Sequence, residues 1–310
     1  MLKRILLCLI ITLTLATPSP HPEAVELKQL DAPEVIMRYE PALESAAVGL
    51  AAVYPGIRAD VENKLAWRIG FVPVVVLIRR HDSFLRESRN DLVTAFAVPG
   101  EDLIAIDYSS MERTPFDLRS TLAHELCHLL LHRNIEDPAL PRWLDEGIAQ
   151  WVGGGMDILD TGEKDVLKQA VLAGNLLRLS DISLHFPEQS RALRLSYEES
   201  RSLVEFIVRE YGTGKLLSIL EGLHDGKTIE QAVSENLQVG LATLEGNWRN
   251  SLLKNYSWQT YLADHIYWIL FFLAALGTIC GYLRLRKRFK NYRDEGDEDY
   301  LDEEETGENP

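Results

Sequence analysis

Residues 124–128 read His-Glu-Leu-Cys-His. On a helix, positions i and i+4 lie about 40° apart on one face, so His124 and His128 can aim two imidazoles at a single ion. Glu125 sits one position on, about 100° round. From there a long carboxylate reaches a water held by the ion and can act as a general base without ligating. By chance alone such a His-Glu-x-x-His arises in about 2% of chains of this length and composition, so the motif needs support from its surroundings.

A zinc centre that keeps an open position for chemistry takes three protein ligands. The third candidate is Glu146, in PRWLDEGIAQW, 18 positions after His128 on the next predicted helix. Two neutral imidazoles and one carboxylate leave a net positive site for one Zn2+, which favours an acidic water and polarises a carbonyl. Other residues nearby have plainer readings. His132, four past His128, is expected at the helix end or behind the ligands, because three ligands suffice. Cys127 reads as a small buried residue of the motif helix. Gln150, one turn after Glu146, is either a hydrogen-bond partner of a ligating imidazole or a surface glutamine.

The elements that must position these residues follow from hydrophobic periodicity. VIMRYE (Val35 to Glu40) reads as a strand. Ala42 to Tyr54 has small apolar residues at helical spacing, and Pro55-Gly56 is expected to end it. Phe71 to Arg80 holds a β-branched buried strand, and HDSFLRES a short helix. VTAFAVPG and DLIAIDY read as two strands joined through Pro99-Gly100. Phe116 to Leu131 is the helix that carries the histidines. Pro141 opens a second helix running to Trp151, and the glycines at 153–155 break it. Helices are then expected over Tyr197 to Tyr211, Gly214 to Leu223, Thr228 to Leu237 and Ala242 to Leu253. The fold class is α+β: a small N-terminal mixed sheet with the histidine helix, a helical C-terminal half and one C-terminal transmembrane helix.

Composition bounds where such a chain works. It has 310 residues and a net charge of −15. Ten of the acids lie after Arg293 with no base among them, so the rest of the chain carries only −5. The tail reads as solvated, and no basic face remains to meet nucleic-acid phosphates. Ile5 to Thr17 is a short apolar run after Lys3 and Arg4, which reads as a signal peptide over residues 1–17. Ile266 to Leu283 is 18 uncharged residues, about 27 Å as a helix, and matches the bilayer core. Six basic residues follow it within RLRKRFKNYR, placing the C-terminus in the cytoplasm. The expected organisation is a signal peptide (1–17), a loose leader (18–32), a catalytic-type domain (33–256), a transmembrane helix (264–284) and a basic-then-acidic cytoplasmic tail (285–310). The domain would lie outside the cytoplasm, tethered to membrane lipid through one helix. The three cysteines, Cys8, Cys127 and Cys280, offer no disulfide pair.

HELCH followed by WLDEGIA resembles the gluzincin clan of zinc metallopeptidases, whose aminopeptidases carry HExxH followed by WLNEGFA. The stretch from Val35 to about Leu253 is similar to the small peptidase-MA-like domains of that clan. The resemblance implies His124, His128 and Glu146 as zinc ligands, Glu125 as general base and a polypeptide substrate. Tyr197 stands where the clan places a tyrosine at a helix start to steady the oxyanion; packing within the helix is the alternative role. Glu199-Ser200 follow it here in place of the clan's Lys-Gly. No GAMEN-like segment precedes HELCH, so the resemblance implies an endopeptidase rather than an aminopeptidase. It also implies that DLIAIDY forms the sheet edge at which an extended peptide adds as a strand. The alternative function is a catalytically inactive, peptidase-like surface binding module.

Overall fold

The computed structural model describes residues 27–88, 93–111, 117–136, 138–154, 165–256 and 266–286. The expected signal peptide, leader residues 18–26 and the tail from residue 287 lie outside them. The chain divides into two compact units, one up to Leu129 and one from Leu130, and the division falls inside a continuous helix.

The first unit is built on a five-stranded mixed sheet of order β1-β2-β3-β5-β4. Its strands are β1 (Lys28–Ala32), β2 (Val35–Tyr39), β3 (Val74–Ile78), β4 (Ala95–Val98) and β5 (Leu103–Asp107). β2, β3 and β5 run parallel, with Val75 opposite both Met37 and Ile104. β1 and β4 close the two edges antiparallel. Met37, Val75, Leu77, Ile104 and Ile106 have no exposed surface, as strands covered by helices require.

Three features differ from the sequence reading. Lys28–Ala32, expected in a loose leader, pair with β2 from Lys28 opposite Tyr39 to Ala32 opposite Val35. The alternation of this strand is weak because it is an exposed edge, so no buried stripe marks it. The first helix, α1 (Glu44–Leu65), runs through Pro55-Gly56 rather than stopping there. Proline inside a helix costs about 3 kcal/mol. The buried stripe Ala47, Leu50, Tyr54, Ile57, Val61 and Leu65 continues across it at spacings of three and four, and that burial outweighs the penalty. Finally, β5 is paired on both sides, by β3 and β4, so the strand expected at the edge is internal and the edge on that side is β4.

α2 (His81–Ser88) leaves β3 and is fastened to the end of β5. His81 Nδ1 lies 2.6 Å from Asp107 Oδ2, and both Ser109 (Oγ, 2.6 Å) and Ser110 (Oγ, 2.8 Å) donate to the same buried carboxylate. Burial alone would raise the Asp107 carboxyl, but the Ser109, His81 and Ser110 donors together hold it below its ordinary range. A one-turn α3 (Tyr108–Met111) follows, and then α4 (Leu118–Asn134), the histidine helix.

The second unit is helical: α5 (Arg142–Gly153), α6 (Val166–Ala173), α7 (Ser190–Tyr211), α8 (Thr213–His224), α9 (Ile229–Leu237) and α10 (Leu241–Asn255). α9 opens with a capping box between Thr228 and Gln231, and α5 ends at Gly154 in the left-handed region (φ 90°). α7 begins seven residues before the expected start, so Tyr197 lies two turns inside a helix rather than at its beginning. α5 approaches α7 closely at Gly147: a Cβ there would stand 2.5 Å from the Ser200 carbonyl oxygen and 2.7 Å from Val204 Cγ2. The connection between α6 and α7 is pinned by a polar network. Leu177 N–H donates to Glu199 (2.9 Å), Leu179 N–H to Glu245 (3.4 Å), and Arg249 holds both Glu245 and the Leu177 carbonyl. α11 (Ile266–Arg286) has a mean hydropathy of 2.0 and is long and apolar enough to cross a membrane.

Two predictions follow from this packing. Gly147→Ala forces α5 off α7 and should cost about 2 kcal/mol, roughly 4–8 °C in melting temperature by circular dichroism. Burial pushes the Glu199 carboxyl up to about 8, against the Leu177 N–H and the Arg249 charge. The folded state therefore keeps a proton that the unfolded chain releases near pH 4.5. Stability from this group is complete below that pH and is lost as pH rises towards 8. Glu199→Gln should flatten the fall in melting temperature between pH 5 and pH 8; an unchanged slope would assign the fall to other groups.

Candidate metal centre

α4 supplies the first two donors. Its Leu122, Leu126, Leu129 and Leu130 are buried, which turns the intervening polar face, His124, Glu125 and His128, inward as well. All three are under 9% exposed. The two Nε2 atoms lie 3.1 Å apart, and the rings meet edge to face with centroids 4.7 Å apart. Two nitrogens on one tetrahedral zinc, each at about 2.0–2.1 Å, would be separated by about 3.3 Å. The imidazoles are thus already spaced for a shared ion.

α5 supplies the third. Glu146 is 2% exposed. His124, His128 and Glu146 each offer a ligand atom, and these atoms all lie within 4.8 Å of one another. Two imidazole nitrogens and a carboxylate oxygen form the donor set that zinc accepts, so the residues present fit the ion. Glu125 is buried at 3% exposure on the motif helix, one position from His124.

The other residues singled out in the sequence fall out as follows. Tyr197 directs its hydroxyl at Glu146 Oε1, 3.4 Å away, and its ring meets Phe186 edge to face at 5.2 Å. It lies close to the Glu146 carboxylate and is also packed against Phe186. Gln150 donates from Nε2 to the Tyr197 carbonyl oxygen at 2.9 Å and so ties α5 to α7. His132 Nε2 lies 3.1 Å from Asp145 Oδ2 at the end of α4. Cys127 is fully buried, as expected of a small residue on the motif helix.

Sequence reasoning missed Arg142 and Phe186. Arg142 Nη2 lies 2.5 Å from Glu146 Oε1, and Nη1 lies 3.5 Å from Asp145 Oδ2. The Glu146 charge, with Asp145 and Tyr197 adding to it, raises the guanidinium pKa further above its ordinary value, against burial. The i, i+4 spacing of Arg142 and Glu146 was a readable signal for this pair. Phe186 had none, since it sits on an irregular connection and is brought to Tyr197 and Arg142 by the network behind it.

A family model described as the peptidase MA superfamily matches residues 98–254, just over half of the chain. The match includes α4, α5 and α7 with every residue of the centre. No curated protein matches the chain.

A cation held by these donors binds the folded chain and not the unfolded one. Zn2+ at 100 times its dissociation constant should stabilise the fold by about 2.7 kcal/mol. Melting followed by circular dichroism should show the rise for the wild type, and His128→Ala and Glu146→Gln should each abolish it. A rise that survives both changes would place the bound ion elsewhere.

Proposed function

From the premise that the chain belongs to the peptidase MA superfamily, we propose that it is a zinc-dependent endopeptidase, tethered to a membrane by α11, that works outside the cytoplasm. The observation that carries this reading is the convergence of His124, His128 and Glu146, with Glu125 beside the first histidine. Zinc bound there would supply a Lewis acid that polarises the scissile carbonyl.

The remaining chemistry belongs to the chain's own residues. Glu125 takes a proton from the attacking water and delivers it to the departing amine, so one carboxylate serves as base and then as acid. Tyr197 donates its hydroxyl to the oxygen that gains charge as the carbonyl becomes tetrahedral. The substrate lies as an extended strand against β4, the outer strand on that side of the sheet among the described residues. The catalytic domain corresponds to the expected segment 33–256 together with the edge strand β1.

The tether rests on the length and hydropathy of α11. The basic residues after it would lie in the cytoplasm and leave the two compact units on the opposite side.

Glu125→Gln should reduce cleavage of an unstructured protein by at least a thousandfold while Zn2+ content, measured by atomic absorption, stays at one per chain. Wild-type cleavage should stop with a chelator and return with Zn2+. Residual wild-type-like cleavage by Glu125→Gln would remove that residue from the mechanism. Metal binding without any cleavage would favour the inactive binding module.

A further inference from the structure

We propose that Arg142 is the positioning residue for Glu146: its guanidinium fixes the orientation in which the carboxylate is presented to the cation. This inference rests on the reading of Glu146 as a metal ligand.

Glutamate reaches its carboxylate through three rotatable bonds, so a ligand glutamate must be held if it is to bind tightly. Two donors meet on the same oxygen here. Arg142 Nη2 stands 2.5 Å from Oε1, and the Tyr197 hydroxyl stands 3.4 Å from it. The Glu146 carboxylate is thus held at Oε1 by a charged donor from its own helix.

Arg142 is itself fixed from three directions. Its Nη1 reaches Asp145 Oδ2 at 3.5 Å, and that same oxygen lies 3.1 Å from His132 Nε2. The guanidinium carbon lies 5.9 Å from the Phe186 ring centroid. The Arg142 main-chain N–H donates to the Ser183 carbonyl oxygen at 2.7 Å. Ser183 and Phe186 belong to the connection between α6 and α7, whose other end is clamped by Glu199, Glu245 and Arg249. The hold on Glu146 therefore runs back into the buried network of the second unit. A lysine in place of the arginine could reach Oε1 but could not bridge to Asp145 with the same fork.

The arginine's charge opposes this effect. A cation beside a cation site weakens metal binding by repulsion, so a residue that only neutralised Glu146 would, once removed, leave the site tighter. Partners that orient a ligand act the other way: their loss costs about 10–100-fold in affinity. The sign of the change separates the two.

The test is the Zn2+ affinity of the purified full chain in detergent, measured by competition with a chromophoric chelator, for wild type, Arg142→Gln and Arg142→Lys. The metal-free melting temperature is recorded for each. Arg142→Gln should bind Zn2+ about 10–100-fold more weakly, and Arg142→Lys should fall between it and wild type. Unchanged or tighter binding by Arg142→Gln overturns the proposal. So does a lower metal-free melting temperature with affinity intact, since that describes a structural ion pair alone. Should Arg142→Gln not fold, Arg142→Lys decides by the same criterion. A wild type that binds no Zn2+ would instead refute the zinc reading of the whole centre.

Discussion

A carboxylate, that of Glu146, is buried on α5, and the second unit has to satisfy that constraint. An isolated charge of this kind costs several kcal/mol to remove from water unless it is matched. Glu146 is matched by Arg142 on its own helix and by Tyr197 from α7. α5 and α7 also lie so close that only glycine fits at position 147. The glycine that follows Glu146 is thus a packing requirement of the helix that presents this carboxylate.

The two units contribute in different ways. In the first, the parallel strands and α1 build an apolar base, and the buried leucines of α4 force its polar face inward. In the second, polar bonds do much of the locating work. The irregular connection before α7 buries Leu179 and Ile182, and Glu199, Glu245 and Arg249 hold its main chain at Leu177 and Leu179. Phe186 reaches the site only because that main chain is held. Glu199 lies two positions after Tyr197, and the structure gives it a local task in supporting this connection.

Much of the centre was legible because its residues sit on regular helices. The shared face of the i, i+4 histidines follows from period 3.6, Glu146 was a candidate from its place on the next predicted helix, and the ligand atoms of the three lie within 4.8 Å of one another. The parallel core strands were readable as β-branched runs for the same reason. What escaped was set by neighbours rather than by local pattern. α1 passes its proline because of a buried stripe that only the folded core rewards. β1 is an exposed edge with little alternation. The place of β5 inside the sheet depends on how β4 folds back beside it, which strand composition does not encode. α7 starts early because Leu193 and Leu195 are buried near its beginning, whereas the polar stretch around them reads as loop.

β4 is four residues long. On a strand edge only alternate residues turn their amide and carbonyl outward, so about two of them can engage a visiting chain. At roughly 1 kcal/mol net for each bond, such a ledge retains a visitor only briefly. A client bound there in the proposed way would have to arrive already extended, because so few bonds cannot pull apart a folded one. Turnover on this scaffold would favour loosened or damaged polypeptides over intact neighbours, a form of triage set by the shortness of a single strand.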